Sequence, residues 1–385
     1  MQILFCVTAL ASACSRSHVD AEVSAPPQLD GPEMTREAAQ RILRDAQAIP
    51  TPRGIEDLEA VEIGGIPQWI SVRGRDRRNP ILLFIHGGPG TTEMPVSWYW
   101  QRPVEDFFTV VQWDQRGCGK TAASTPESAA LPTITLERMI ADGEEMVAHL
   151  RAQYGKDKIF VLGHSWGTLI GLELAKRHPN WLHAYVGMGQ FIYTRDNEAV
   201  GYRFALREAR RRNDETAIRE LEAIAPYPSD DMLLPLPSVI IQRKWVAAYG
   251  GMTWGRADLA HEENLRRLSP EYSDADLAAD DRIVGVVARL LPQLGRVDYR
   301  GTTRLDLPVF LFSGRHDYAV PSEVSLAWFE RLDAPLKQIV WFEHAAHMMH
   351  LEEPGQFILH LVQDVRPIAA AVGDAAPPDA PGTGR

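Results

Sequence analysis

Cysteine is scarce in this chain of 385 residues, which contains only Cys6, Cys14 and Cys118. Two of these three lie within the first 14 residues, so the rest of the chain has one thiol and cannot form an internal disulfide. Basic residues are also in deficit, with 40 Lys and Arg against 51 Asp and Glu, a net charge of −11. This charge disfavours nucleic acid and anionic membrane surfaces, so no nucleic-acid partner is expected.

The N-terminal apolar run is short and carries no Lys or Arg before it. It nevertheless resembles an export signal, and Ala11-Ser12-Ala13-Cys14 approximates a lipobox in which Cys14 would carry the lipid. A permanent membrane span would need a longer run. We therefore expect residues 1–33 to be a leader and flexible tether of an exported protein, periplasmic or lipid-anchored, with a cytoplasmic location as the alternative.

A buried strand, a sharp turn and a helix are predicted in succession from residue 158 to residue 176. The apolar run 159–162 precedes a G-x-S-x-G sequence with Ser165 at its centre, and residues after it have helical spacing. Glycines at 163 and 167 let strand and helix pass close together. This context favours a nucleophile elbow with Ser165 as the nucleophile, whereas a purely structural turn is the alternative.

A glycine-rich loop, His86-Gly87-Gly88-Pro89-Gly90, follows the apolar run 81–85. Such a loop after a strand can direct a backbone N–H at a developing oxyanion. We expect the N–H groups of Gly88 and Trp166 to form the oxyanion hole, with Gly87 as the alternative to Gly88.

Two later strands supply the candidate acid and base. Asp317 follows the apolar run 307–312 and would orient a histidine, whereas Asp306 precedes that run, at the opposite end of the sheet. His347 follows the run 338–342, on a loop of suitable reach for a base. His344 is too close to the strand end and His350 belongs to the next helix, so both are alternatives of lower rank.

The spacing of these three histidines also allows a metal-site interpretation. No carboxylate or cysteine cluster accompanies them, so we expect neither a metal nor another cofactor. Cys118 has no obvious base beside it and is interpreted as a small packed residue.

Strands and helices alternate along most of the chain, which predicts an α/β fold with a mostly parallel sheet and helices on both faces. The pattern turns helical and charged between about 189 and 305, which predicts a helical cap inserted between two strands. We expect core segments at 34–188 and 306–370, the cap at 189–305 with one helix over 274–291, and a disordered tail at 371–385.

The sequence has one further motif, Asp114-Gln-Arg-Gly-Cys-Gly-Lys-Thr121. Together with the glycine-rich loop and the elbow, it resembles the prolyl aminopeptidase (proline iminopeptidase) family, serine peptidase family S33, of the α/β-hydrolase fold. The order Ser165, Asp317, His347 fits that fold. Two departures are Thr91-Thr92-Glu93, where the family usually has more glycine, and His164, where glycine is common. The motifs that carry the resemblance are His86-Gly-Gly-Pro-Gly90, Asp114-Gln-Arg-Gly-Cys-Gly-Lys-Thr121, Gly163-His-Ser-Trp-Gly-Thr168, Gly314-Arg-His-Asp317 and the tail from His347 to Glu353-Pro354.

The resemblance implies an exopeptidase that releases an N-terminal proline or small apolar residue from peptides. Such an enzyme must recognise a free amine, and Glu198 in the cap is the candidate for that contact, with Tyr202 beside it as a substrate-binding residue. A solvated glutamate in the first turn of a helix is the simpler interpretation of Glu198. An esterase, lactonase or other small-molecule hydrolase with the same triad is the second hypothesis, and a non-catalytic binding module is the third.

Overall fold

The computed structural model describes residues 34–279 and 282–377. The expected leader with Cys14 and the end of the expected tail, residues 378–385, lie outside the described residues, and both stay predictions. None of the described helices combines the length and the apolar character that crossing a membrane requires.

One sheet of eight strands forms the centre of the described chain, in the order β1-β2-β4-β3-β5-β6-β7-β8. Its central strands are buried along their whole length, as continuous apolar runs predict. The strands are β1 Ile55–Ile63, β2 Ile66–Gly74, β3 Ile81–Ile85, β4 Thr109–Trp113, β5 Ile159–His164, β6 Leu182–Met188, β7 Val309–Gly314 and β8 Lys337–Phe342.

The sheet is antiparallel at one edge and parallel elsewhere. Strands β1 and β2 form a hairpin, and β2 also runs antiparallel to β4. Every other pairing, from β4–β3 to β7–β8, is parallel. The predicted α/β class with a mostly parallel sheet is therefore confirmed. The outermost strand β1 carries four acidic residues, Glu56, Asp57, Glu59 and Glu62.

Alternate residues of each strand enter different apolar layers because successive side chains point to opposite faces. In β3, Leu83 packs in one layer and Phe84 in the other. The layer of Leu83 includes α4 (Leu136–Tyr154) and α5 (Gly167–Arg177), and that of Phe84 includes α14 (Pro354–His360) and the turns after it. The helices outside the β6–β7 interval are α1 Arg36–Ala46, α2 Gly119–Ser124, α3 Glu127–Ala130, α4 Leu136–Tyr154, α5 Gly167–Arg177, α12 Ser322–Arg331, α13 Met349–Glu352, α14 Pro354–His360 and α15 Pro367–Ala370.

A helical region lies between β6 and β7 and has an apolar cluster of its own, which includes Phe204, Leu221 and Trp245. We call this region the cap. The expected single helix over 274–291 is wrong, because two helices end and begin on either side of residues 280–281. The cap helices are α6 Thr194–Arg212, α7 Glu215–Ala223, α8 Leu236–Ala248, α9 Ala260–Arg267, α10 Asp274–Ala279 and α11 Ile283–Leu294.

Helical periodicity alone does not locate the end of a helix, so the sequence pattern merges α10, which ends at Ala279, with α11, which begins at Ile283. At the C-terminus, Asp374 contacts Lys156 at 2.5 Å and His183 at 2.8 Å, so an ordered contact falls inside the stretch expected to be disordered.

Candidate active site

Ser165 lies at the apex of the turn between β5 and α5, with a φ of 54°. Positive φ is uncommon for a residue with a Cβ, so the surrounding structure must hold this conformation. A Cβ on Gly163 would lie 2.5 Å from the carbonyl oxygen of Gly167. A Cβ on Gly167 would lie 2.0 Å from the carbonyl oxygen of Ile85. Both glycines therefore permit the close approach of strand and helix that exposes Ser165.

His347 and Asp317 form a buried pair in which Nδ1 and Oδ2 are 2.8 Å apart. The second carboxylate oxygen, Oδ1, accepts hydrogen bonds from the N–H groups of Ala319 at 2.9 Å and Val320 at 2.8 Å. Because a carboxylate accepts, Nδ1 carries the proton and Nε2 keeps its lone pair.

The parallel strands explain why these groups meet. Ser165, Asp317 and His347 each follow a parallel strand, β5, β7 and β8 respectively. The carboxyl ends of parallel strands lie at one edge of a sheet, which is where open α/β sheets bind their ligands. Ser165 and His347 accordingly line one cavity, so the structure brings the three predicted residues together.

The three neighbouring histidines have different partners. His344 lies against the ring of Trp254, with centroids 5.3 Å apart. His350 is fully buried, and its Nε2 lies 2.9 Å from Oε1 of Glu93. Of the three, His347 is the one that pairs with the predicted acid Asp317 and lines the cavity with Ser165. Across residues 34–279 and 282–377, no group of three His, Cys, Asp or Glu side chains could hold a metal ion.

The candidate oxyanion donors also line the cavity. In the part of the chain that the structure describes, the N–H groups of Gly88 and Trp166 have no hydrogen-bond acceptor. Two unpaired donors beside Ser165 suit a developing negative charge. Gly87 lies close as well, because a Cβ on it would be 3.1 Å from the Cβ of Ser165.

Gln115 connects the two loops that carry these donors. Its Nε2 donates to the carbonyl oxygen of His86 at 3.0 Å, and its Oε1 accepts from the indole Nε1 of Trp166 at 3.0 Å. Burial lowers the pKa of His86 to about 4, so that ring is neutral near pH 7. The sequence marks Gln115 only through the D-Q-R-G segment and does not reveal this bridging contact.

The cavity between the sheet edge and the cap is mainly apolar and has a volume of about 160 Å³. An apolar cavity of about 150 Å³ binds benzene, so this one has room for a small ring. The cap side chains that line it are mostly aliphatic: Leu234, Val239, Met252, Leu259, Ile283, Val287, Leu291 and Leu294.

Glu198 lines the cavity, but its carboxylate is already paired. Arg243 approaches Oε1 through Nη2 at 2.5 Å and Oε2 through Nη1 at 3.2 Å. The hydroxyl of Tyr227 donates to Oε2 at 2.5 Å, and burial together with the charge of Glu198 raises the pKa of that hydroxyl. The carboxylate predicted to bind an amine therefore has an internal cation instead.

Tyr202, the other predicted substrate-binding residue, is directed away from the cavity. Its hydroxyl donates to the carbonyl oxygen of Leu221 at 3.0 Å within the cap. It is half-buried and packs with the apolar cluster of the cap, because that side of α6 faces the neighbouring helices. The structure thus does not bring Tyr202 to Ser165, and a substrate contact by Tyr202 gains no support.

Glu262 is a cavity-lining acid that the sequence does not single out. Its Oε1 lies 2.5 Å from Nη1 of Arg256, whereas Oε2 is buried and has no hydrogen-bond partner among the described residues. A buried carboxylate oxygen without a partner is costly. The sequence gives no sign of this, because α9 contains two adjacent glutamates and only the fold distinguishes them.

Comparisons with known proteins agree with this geometry. A family model described as alpha/beta hydrolase fold matches residues 80–354. The chain is 28% identical over 327 residues to "Probable aminopeptidase YbaC" of Bacillus subtilis (strain 168), covering 83% of this chain and 99% of the relative. It is 25% identical over 310 residues to a proline iminopeptidase of Neisseria meningitidis, covering 74% and 88%.

The structure is similar to that of a proline iminopeptidase-related protein from Thermus thermophilus. The TM-score is 0.56 at 19% identity, and the match covers 82% of this chain and 98% of the other. The predicted resemblance to the proline iminopeptidase group is confirmed by the two sequence relatives, and the structural likeness confirms the fold.

Proposed function

The chain belongs to the alpha/beta hydrolase family, and on that basis we propose that it is a serine hydrolase with Ser165 as nucleophile. The observation that carries the proposal is the buried contact of 2.8 Å between His347 and Asp317, beside a cavity that Ser165 also lines. An imidazole whose Nδ1 is held by a carboxylate leaves Nε2 to accept the hydroxyl proton.

The proposed reaction is acyl transfer. Nε2 of His347 takes the proton of Ser165 as the hydroxyl oxygen attacks an ester or amide carbonyl. The N–H groups of Gly88 and Trp166 stabilise the oxyanion, each contributing about 10²- to 10³-fold in rate. His347 then protonates the leaving group. In the second half of the reaction, His347 takes a proton from a water molecule as that water attacks the acyl-enzyme.

The proposed substrates are peptides with an N-terminal proline or small apolar residue. The apolar cavity has room for such a ring, and one relative is named a probable aminopeptidase and the other a proline iminopeptidase. We propose that Oε2 of Glu262 binds the free amine, since both oxygens of Glu198 are already engaged by Arg243 and Tyr227. An ammonium group would supply the partner that this buried oxygen lacks.

A second candidate is an esterase or other small-molecule hydrolase. The pairing of Glu198 with Arg243 favours it, because this pair leaves less negative charge in the cavity for an amine. The two candidates share the reaction chemistry and differ only in the requirement for an amine.

Paired substrates distinguish these candidates. We expect the protein to hydrolyse proline-β-naphthylamide, and Ser165→Ala to abolish that activity and any turnover of p-nitrophenyl butyrate. A fluorophosphonate probe should modify Ser165, as peptide mapping would reveal. Ester turnover without turnover of the proline amide would overturn the peptidase assignment, and modification of another residue would overturn the nucleophile.

Two glutamate variants test the amine contact. Glu262→Gln should raise KM for proline-β-naphthylamide about 10- to 100-fold, since a hydrogen bond to a charged group contributes about 1.5–3 kcal/mol. Its KM for p-nitrophenyl butyrate should stay unchanged. Glu198→Gln is the matched control and should alter both substrates equally. A selective effect of Glu198→Gln on the amide would reassign the amine to Glu198.

A further inference from the structure

The loop between β8 and α13 carries His347, and three successive N–H groups in it donate to acceptors outside the loop. The N–H groups of Ala346 and Met348 both donate to Oε2 of Glu352, each at 3.0 Å. Between them, the N–H of His347 donates to the carbonyl oxygen of Met252 at 3.0 Å. The backbone on both sides of the imidazole is thus held by one carboxylate oxygen.

The other oxygen of the same carboxylate reaches the cap. Oε1 of Glu352 accepts a hydrogen bond from the N–H of Trp254 at 2.5 Å. Trp254 lies in residues 250–254, which follow α8 and which we call the cap loop. Glu352 therefore links the loop of the base to the cap loop through backbone groups alone.

The cap loop also holds the loop of the acid. The carbonyl oxygen of Gly251 accepts from the N–H groups of Tyr318 at 3.0 Å and Ala319 at 3.2 Å. The loops after β7 and β8, which position Asp317 and His347, are therefore fastened to the same short cap segment.

Glu352 has no basic partner among the residues that the structure describes, and the three groups that donate to it are backbone N–H groups. A partly buried carboxylate without a counter-charge is costly. Three converging N–H donors favour the ionised form, in which both oxygens only accept. Burial raises the pKa of Glu352 to about 7, and the nearby charge of Asp317 acts in the same direction.

We propose that Glu352 is a positioning residue that holds the imidazole of His347 in its reactive place and makes that placement depend on the docked cap loop. The proposal rests on the proposed function, in which His347 is the base. Glu352 acts only through backbone groups and contacts no reacting atom.

The neighbouring Glu353 provides a matched comparison. Its Oε2 accepts one hydrogen bond, from the N–H of His344 at 3.0 Å, and its contact stays within the same loop. Glu352→Gln places an amide N–H₂ against N–H donors, whereas Glu353→Gln disturbs only the start of the loop. A general effect of lost charge would appear in both variants.

The experiment measures fluorophosphonate modification of Ser165 and steady-state hydrolysis of p-nitrophenyl butyrate in the full chain. For Glu352→Gln we expect the modification rate and kcat to fall about 10- to 100-fold, with KM within twofold, because small misplacements of a catalytic group have effects of this size. Glu353→Gln should stay within twofold of the wild type in all three measurements. Circular dichroism should report the same folded content in each protein.

The outcomes separate this proposal from the proposed function. If the wild type is not modified at Ser165, the proposed function fails. If the wild type is modified and Glu352→Gln reacts equally fast, or no slower than Glu353→Gln, the positioning role fails. Should Glu352→Gln not fold, Glu352→Asp retains the charge with a shorter reach and should lower kcat with KM retained. An unchanged kcat in that variant would equally overturn the role.

Discussion

The core and the cap each present a buried carboxylate near the same cavity, and the two carboxylates differ in what surrounds them. Asp317, on the core, accepts hydrogen bonds from two backbone N–H groups and from the imidazole of His347. Glu198, on the cap, accepts hydrogen bonds from the guanidinium of Arg243 and the hydroxyl of Tyr227. Asp317 can therefore stabilise a transient imidazolium, whereas the charge of Glu198 is already neutralised. The partner of a carboxylate, more than its burial, decides what the carboxylate can do.

The largest expected effect follows substitution of the core carboxylate, Asp317. Asp317→Asn should lower kcat about 10⁴-fold, because an amide no longer holds the imidazole in the tautomer that accepts the serine proton. The measurement is kcat for both substrates. Asp306→Asn, an exposed residue before β7, is the control and should leave kcat unchanged. A loss below tenfold for Asp317→Asn would refute the orienting role.

Breaking the ion pair between Glu198 and Arg243 in the cap should lower the stability of the protein. Arg243→Met leaves Glu198 buried without a cation, and removing one partner of a buried ion pair costs about 3–5 kcal/mol. The free energy of unfolding, from urea titration, should fall accordingly. The double variant Arg243→Met with Glu198→Gln should recover much of the loss. Equal destabilisation in the single and double variants would contradict the neutralised pair.

The buried carboxyl of Glu352 should make the stability of the fold depend on pH. Glu352 has a folded pKa of about 7 against 4.5 for an ordinary glutamate, so the folded state binds its proton more tightly than the unfolded state does. The folded state therefore carries no cost of burying this charge below about pH 4.5, and it loses stability as the carboxyl ionises and the pH rises through 7, although the three backbone contacts suit the ionised form. From pH 5 to pH 8, the unfolding free energy of the wild type, measured by urea titration, should therefore decrease relative to that of Glu352→Gln. The expected decrease is on the order of 2 kcal/mol. Parallel pH curves would contradict the raised pKa.

The smallest effect should follow removal of the indole ring of Trp254, the cap residue whose backbone N–H donates to Glu352. Trp254 is 44% exposed and stacks on His316, with centroids 4.9 Å apart. Trp254→Leu keeps the N–H that Glu352 accepts, so kcat should change less than twofold and stability by about 0.5–1 kcal/mol. A larger loss of kcat would mean that the ring, and not the backbone bond, holds the cap loop.

The placement of the core residues can be predicted from the sequence because Ser165, Asp317 and His347 each lie on the segment that follows a parallel strand, and such strands end at one edge of the sheet. Choosing His347 over its two neighbouring histidines also needs an argument from loop reach. The cap side cannot be predicted in this way. Arg243 lies on α8, a different helix from Glu198, and helical periodicity does not specify which residues of two helices meet.

Backbone partners are equally hidden from sequence reasoning. The residue pattern contains Glu352, but its three acceptor contacts involve main-chain groups that almost every residue possesses. Tyr202 illustrates the opposite error, because an aromatic residue on a cap helix is predicted to contact the substrate and instead packs inside the cap. Such orientations follow from tertiary packing alone.

The acidic outer strand has a consequence for how molecules of this protein meet one another. An edge strand exposes unpaired backbone groups that could recruit a strand from another copy. A second copy that docked on β1 through the same strand would bring the carboxylates of Asp57 and Glu59, which share one face of the strand, close to the same two residues of its neighbour. Like charges in this position disfavour strand pairing, so we expect β1 to resist open-ended growth of the sheet.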